Sequence, residues 1–74
     1  MSLNNRISML MSDGKPRTSY DITAQLCGPN YAPPDWFRIA AACDRMSAAI
    51  GAGLDDCGKR EHRTVYVCRS VDQG

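Results

Sequence analysis

The sequence predicts a small α+β fold, three helices followed by a two-stranded β-hairpin. Three observations carry that expectation. Apolar residues recur at helical spacing in three segments before residue 53, breakers separate those segments, and the alternating strand-formers Thr64-Val65-Tyr66-Val67-Cys68 close the chain behind a polar, glycine-containing stretch. At 74 residues there is room for one domain, expected to be ordered over about residues 3–70 with 71–74 as a frayed tail, and a core this small supplies only a few kcal/mol of net stability.

The first helix is expected over Leu3 to Met11. Leu3, Ile7, Leu10 and Met11 share a face, Ser2 caps the start, and Asp13-Gly14-Lys15-Pro16 stops it, because Gly accepts the left-handed conformation after a helix and Pro cannot continue one. Arg17-Thr18 is too short for more than one extended step. A second helix follows from Tyr20 to Cys27, with Ser19 as its N-cap, Ile22 and Leu26 on one face, and Gly28 as its stop.

GPNYAPP, residues 28–34, holds three prolines and is expected to be a stiff connection. The third helix is expected from about Pro34 to Ala52, since Pro suits a first helical position and Asp35 suits the positive end of the helix dipole. Trp36, Ile39, Ala40, Cys43, Met46 and Ile50 form its apolar stripe, with Trp36 as a core anchor. The opposite face carries Asp35, Arg38, Ala42, Arg45 and Ala49, a lane of small residues with two long basic ones. Two strands are expected at Leu54 to Cys57 and Thr64 to Arg69, joined by Gly58 to Arg63. Both Tyr66/Cys68 and Val65/Val67 are plausible inward pairs.

Composition excludes several classes. With 43% apolar and 23% charged residues the chain is neither disordered nor fibrous. No apolar run approaches the roughly 20 residues of a membrane span, and MSLNNRISMLMSDG has too short an apolar stretch for a signal peptide, so a cytoplasmic location without membrane partner is expected. Cys27, Cys43, Cys57 and Cys68 lie far apart with no C-x-x-C pair and a single His in the chain, so no metal site is expected and the thiols read as reduced, small, buried residues. Nor is an enzyme or a cofactor expected: there is no Gly-rich phosphate loop, and His62 has no orienting partner beside a nucleophile.

Charge is unevenly placed. The net charge is +1, yet Gly58 to Arg69 contains Lys59, Arg60, Arg63 and Arg69, four of the nine Lys and Arg residues, together with the only His. The ordered stretches ISMLMSDGKPRTSYDITAQL, AAIGAGL and GKREHRTVYVCR resemble, over about residues 3–70, the winged helix-turn-helix proteins of bacterial and phage regulators. One departure is the seven-residue stretch between the second and third helices, where the family uses a turn of about 3–4 residues.

The resemblance implies a DNA-binding protein, a transcriptional regulator or phage-type accessory factor, whose partner is double-stranded DNA. The third helix would enter the major groove through Arg38, Ala42 and Arg45. The wing would meet phosphates through Lys59, Arg60, His62 and Arg63, and Arg17, Ser19 and Tyr20 would fix the backbone. A homodimer on two half-sites is expected, because one domain of this size covers little DNA. The alternative is a winged-helix module that binds a protein partner through the third helix and Trp36-Phe37 or Tyr31, a reading that suits the low net charge.

Overall fold

A computed structural model describes residues 2–49 and 53–69. The order of elements is α1 (Leu3–Met11), β1 (Arg17–Thr18), α2 (Ser19–Cys27), α3 (Pro33–Ala48), β2 (Leu54–Arg60) and β3 (Arg63–Cys68). This is the α+β layout of a winged helix. Expectations about Ile50, about Gly51-Ala52 and about the tail from Val71 lie outside the described residues. Among the described residues, no helix is long and apolar enough to cross a membrane.

Helix α1 has the expected bounds, with the Ser2 hydroxyl accepting from the Asn5 amide at 3.2 Å. Helix α2 starts one residue earlier than expected, and its cap is Thr18 rather than Ser19. The Thr18 hydroxyl accepts from the Asp21 amide while the Asp21 carboxylate accepts from the Thr18 amide, which satisfies two otherwise orphaned donors at once. Ser19 is buried within the first turn.

Pro33 and Pro34 both belong to α3, so the connection from α2 is only Gly28 to Ala32. Helix α3 ends at Ala48, short of the expected Ala52, and Ala49 is its extended C-cap. Its core-facing residues are Ile39, Ala42, Cys43 and Met46. The placement of Ala42 corrects the expected outward lane: at i+3 from Ile39 and four before Met46 it falls inside the apolar stripe, and its exposure is 0%.

Arg17-Thr18 is more than an extended step, because it pairs with β3 and makes the sheet three-stranded, in the order β1-β3-β2, antiparallel throughout. Strand β3 is central, with Tyr66 opposite Arg17 on one side and Asp56 on the other. Pairing of Leu54 with Cys68 and Asp56 with Tyr66 settles the facing question. Tyr66 and Cys68 look toward the helices, and Leu54 joins them in the core. Val65 is also buried, on the other side of the strand beside Thr18.

The hairpin is longer and its loop shorter than expected. Pairing runs out to Arg60 opposite Arg63, leaving only Glu61 and His62 as the turn. Both have positive φ, 52° and 68°, the pair of left-handed conformations that a two-residue hairpin of this twist requires. Between Asp56 and Lys59 the register shifts, so that Cys57 and Gly58 both stand against Val65. Gly58 takes φ 110° there, and its amide is held by the Asp56 carboxylate at 2.7 Å. This bulge sets Lys59 across from Thr64, where its ammonium lies 3.4 Å from the threonine hydroxyl.

The core is the cluster of Ile7, Met11, Ile22, Ile39, Ala42, Cys43, Met46, Leu54 and Tyr66, with Leu3, Leu10, Leu26 and Cys68 at its margin. Cys43 is fully buried, and loss of solvent around the thiol pushes its pKa up to about 12. Cys27 and Cys57 are exposed, contrary to the expectation of four buried thiols. At pH 8 a disulfide reagent should therefore label Cys27 and Cys57 rapidly and Cys43 only after urea unfolds the chain; rapid labelling of Cys43 would contradict this packing. Thr18→Ala removes one half of the capping box and should lower unfolding stability by about 1 kcal/mol in a urea titration.

Candidate nucleic-acid interface

The surface shared by α3, the start of α2 and the hairpin is organised by two side-chain ties. The buried Tyr66 hydroxyl donates to the Asp44 carboxylate on α3 at 2.6 Å. Desolvation comes first and the neighbouring carboxylate second in holding the Tyr66 phenol well above its ordinary range. The second tie is aromatic. Tyr20 stacks on Trp36 with centroids 4.9 Å apart and planes 21° from parallel, and the Arg63 guanidinium lies 4.2 Å over the Tyr20 ring.

Trp36 is thus a half-buried wall of this cleft and not the expected core anchor. Its indole N–H donates to the Ser19 hydroxyl at 2.9 Å, a partner that a deeper position among aliphatic side chains would not give it. Phe37 leans against its other side, centroids 5.0 Å apart. The cleft between α3 and the hairpin has a volume of about 300 Å³ and includes Ala40, Asp44, His62, Arg63 and Thr64 among its walls.

The structure sorts the expected contact residues into three groups. Lys59, Arg60, His62 and Arg63 stand exposed on the outer hairpin, and Arg38 and Arg45 stand exposed on α3. Tyr20 is half-buried between Arg63 and Trp36, so it acts on the surface by positioning Arg63. Arg17, Ser19 and Ala42 are engaged internally. Arg17 forms a two-pronged ion pair with Asp13, at 2.9 and 2.8 Å, and reaches the Leu10 carbonyl at 3.3 Å. The pairing holds the Asp13 carboxyl well below the usual carboxylate range. Ser19 spends its hydroxyl on Trp36 and its carbonyl on the Thr23 hydroxyl at 2.7 Å.

Helix α3 offers no amide donors at its first two positions, because both are proline. Any anion held near that end must be met by side chains. Arg69 is structural too: its guanidinium bonds Asp55 at 2.8 Å, the Leu54 carbonyl at 2.8 Å and the Ala49 carbonyl at 3.3 Å, which fastens the end of β3 to β2 and α3.

Several carboxylates have partners within the fold. Asp13 is paired with Arg17, Asp55 with Arg69, Asp44 with Tyr66, while Asp21 and Asp56 accept from backbone amides. Among the described residues, Arg38, Arg45, Lys59, Arg60 and Arg63 form no salt bridge. One feature of the site escaped the sequence reading, the Arg63-Tyr20-Trp36 ladder, which joins residues far apart in sequence. Phe37, expected as a contact for a protein partner in the alternative reading, is 62% accessible.

Compared with family models, curated proteins and solved structures, the chain has no match.

The Tyr66–Asp44 tie gives a spectroscopic expectation. In an alkaline absorbance titration Tyr66 should ionise well above its ordinary range, and Asp44→Asn should lower that transition part of the way, because the carboxylate is removed while burial remains. An unchanged Tyr66 transition in Asp44→Asn would contradict the hydrogen bond.

Proposed function

We propose that the protein is a small winged-helix DNA-binding protein of the bacterial or phage regulator type, with α3 in the major groove and the basic hairpin on the phosphate backbone. The observation that carries this reading is the distribution of unpaired charge. On α3 and the outer hairpin the cations Arg38, Arg45, Lys59, Arg60 and Arg63 are exposed and form no salt bridge among the described residues, while neighbouring carboxylates are tied to Tyr66, Arg69 and the Gly58 amide. Asp35, Asp44, Asp56 and Glu61 share these elements and keep their charge, so attraction for a phosphate rests on the outward position of the five cations and not on a large net charge.

The division of labour follows from geometry. Hairpin cations on a narrow arm neutralise phosphates and release counterions, which gives affinity with little sequence preference. Arginines on a helix surface suit a bidentate hold on guanine. Two copies on adjacent half-sites would supply the contact area that one domain lacks. Regulation of transcription is the process such a module serves.

Fluorescence polarisation with labelled duplex tests the reading. Lys59→Ala with Arg60→Ala should leave the melting temperature unchanged, since both side chains are exposed, and weaken binding to random duplex. The slope of log K against log salt should become shallower by about 1.8, at about 0.9 per phosphate contact. Arg45→Ala should instead lower affinity for a preferred sequence by about 1–3 kcal/mol with little effect on random duplex. Absence of binding by the wild type at low salt would overturn the proposal in favour of a protein-interaction module.

A further inference from the structure

We propose that Phe37 and Ala41 contact thymine methyl groups in the major groove, between two guanines held by Arg38 and Arg45; this specificity rests on the DNA-binding reading above. Phe37 is 62% accessible and adjoins Ala41 and Leu3, so it is part of a shared apolar surface and not a lone exposed side chain. Phe37, Arg38, Ala41 and Arg45 line one shallow groove of about 370 Å³ beside Leu3 of α1, and no carboxylate lines it. The groove is therefore apolar along its middle and positive at its edges.

That combination matches the major-groove edge better than the phosphate backbone. A phosphate satisfies an arginine and offers nothing to Phe37. The thymine 5-methyl is the apolar group that base pairs display in the major groove, and guanine presents the paired acceptors that an arginine grips. Ala41 lets the helix approach, as a longer side chain there would hold the bases away from Phe37.

Spacing adds a constraint. Arg38 and Arg45 are seven residues apart, which places their backbones about 10.5 Å apart along the helix. A helix crossing the groove at an angle spans at most about three base-pair steps of 3.4 Å over that rise. The preferred site should thus carry two guanines no more than about three steps apart with thymine between them. Lys59, Arg60 and His62 lie outside the groove on the hairpin with Glu61 among them, and the excess of cations there suits a polyanion extending beyond the groove.

The test begins with selection of binding sequences from a randomised duplex pool by the wild-type chain. The enriched duplex is then synthesised with uracil in place of each thymine, which deletes only the methyl groups. Wild type should bind the uracil duplex about fourfold more weakly for each methyl contacted, the effect of exposing one buried methyl-sized group. Phe37→Ala should bind thymine and uracil duplexes with a smaller difference while keeping the wild-type salt slope. Because Phe37 is exposed, this variant should melt as the wild type does, and Ala41→Lys provides a second variant that blocks the approach. Equal wild-type affinity for the two duplexes would overturn this inference and leave the DNA-binding reading standing, since the duplex is still bound. Failure to bind any duplex would overturn both, and capture of an acidic amphipathic peptide by wild type but not by Phe37→Ala would then give the groove to a protein.

Discussion

The hydrogen bond from Tyr66 to Asp44 ties together the parts of this small structure that have fewest other reasons to stay in place. Tyr66 lies in the central strand, with β1 paired on one side and β2 on the other, and its ring belongs to the core. Its hydroxyl reaches an exposed carboxylate of α3, so one residue joins both neighbouring strands through its backbone, and the helical core and the outer surface of α3 through its side chain. A two-stranded arm has little stability of its own. Here its base is part of a three-stranded sheet fixed to a helix, and the direction of the arm follows from that attachment.

Local signals were read well where the chain supplied several at once. Ser2, the spacing of Leu3, Ile7, Leu10 and Met11, and the Asp13-Gly14-Lys15-Pro16 stop agree with one another, and α1 has the bounds they imply. For α2 two hydroxyl residues compete as cap, Thr18 and Ser19. The choice falls to Thr18 because Asp21 stands three residues after it and completes the reciprocal pair. Strand β1 could not be seen in two residues, since its existence depends on Val65 and Tyr66 lying opposite it. The tight hairpin was equally hidden: Glu61-His62 carries none of the Asn-Gly chemistry by which such turns announce themselves, and long-range pairing of the flanking strands holds both residues at positive φ.

For the interface, exposure was read correctly for residues on the hairpin and wrongly where side chains have internal partners. Arg17 looked available as a basic residue near a helix start, but Asp13 is close enough to take both of its prongs. Ser19 looked like a polar surface residue, yet its hydroxyl is the partner that lets Trp36 lie half-buried. Ala42 was assigned by the wrong phase of a helix rich in alanine, where small side chains blur the boundary between stripe and lane. Internal pairing also fixes which charges face outward: Asp55 is matched by Arg69, and Asp44 and Asp56 are held in place by Tyr66 and the Gly58 amide while keeping their charge.

The bulge at Cys57-Gly58 divides the hairpin into two segments with separate duties. Inside it, Leu54, Asp56, Tyr66 and Cys68 keep the alternation that the core demands; beyond it, the extra residue restarts the alternation for Lys59 and Arg60. The outer segment is thereby released from the binary pattern of the inner one. From Lys59 to His62 its side chains are exposed and none belongs to the core, so this stretch is free to vary in composition while the base and the Arg63–Tyr20 contact stay constant. For a lineage of such proteins, the arm beyond the bulge is a region where new surface chemistry can be sampled at small cost to folding, and a one-residue insertion or deletion at the bulge is the change that would exchange which side of the arm each charge occupies.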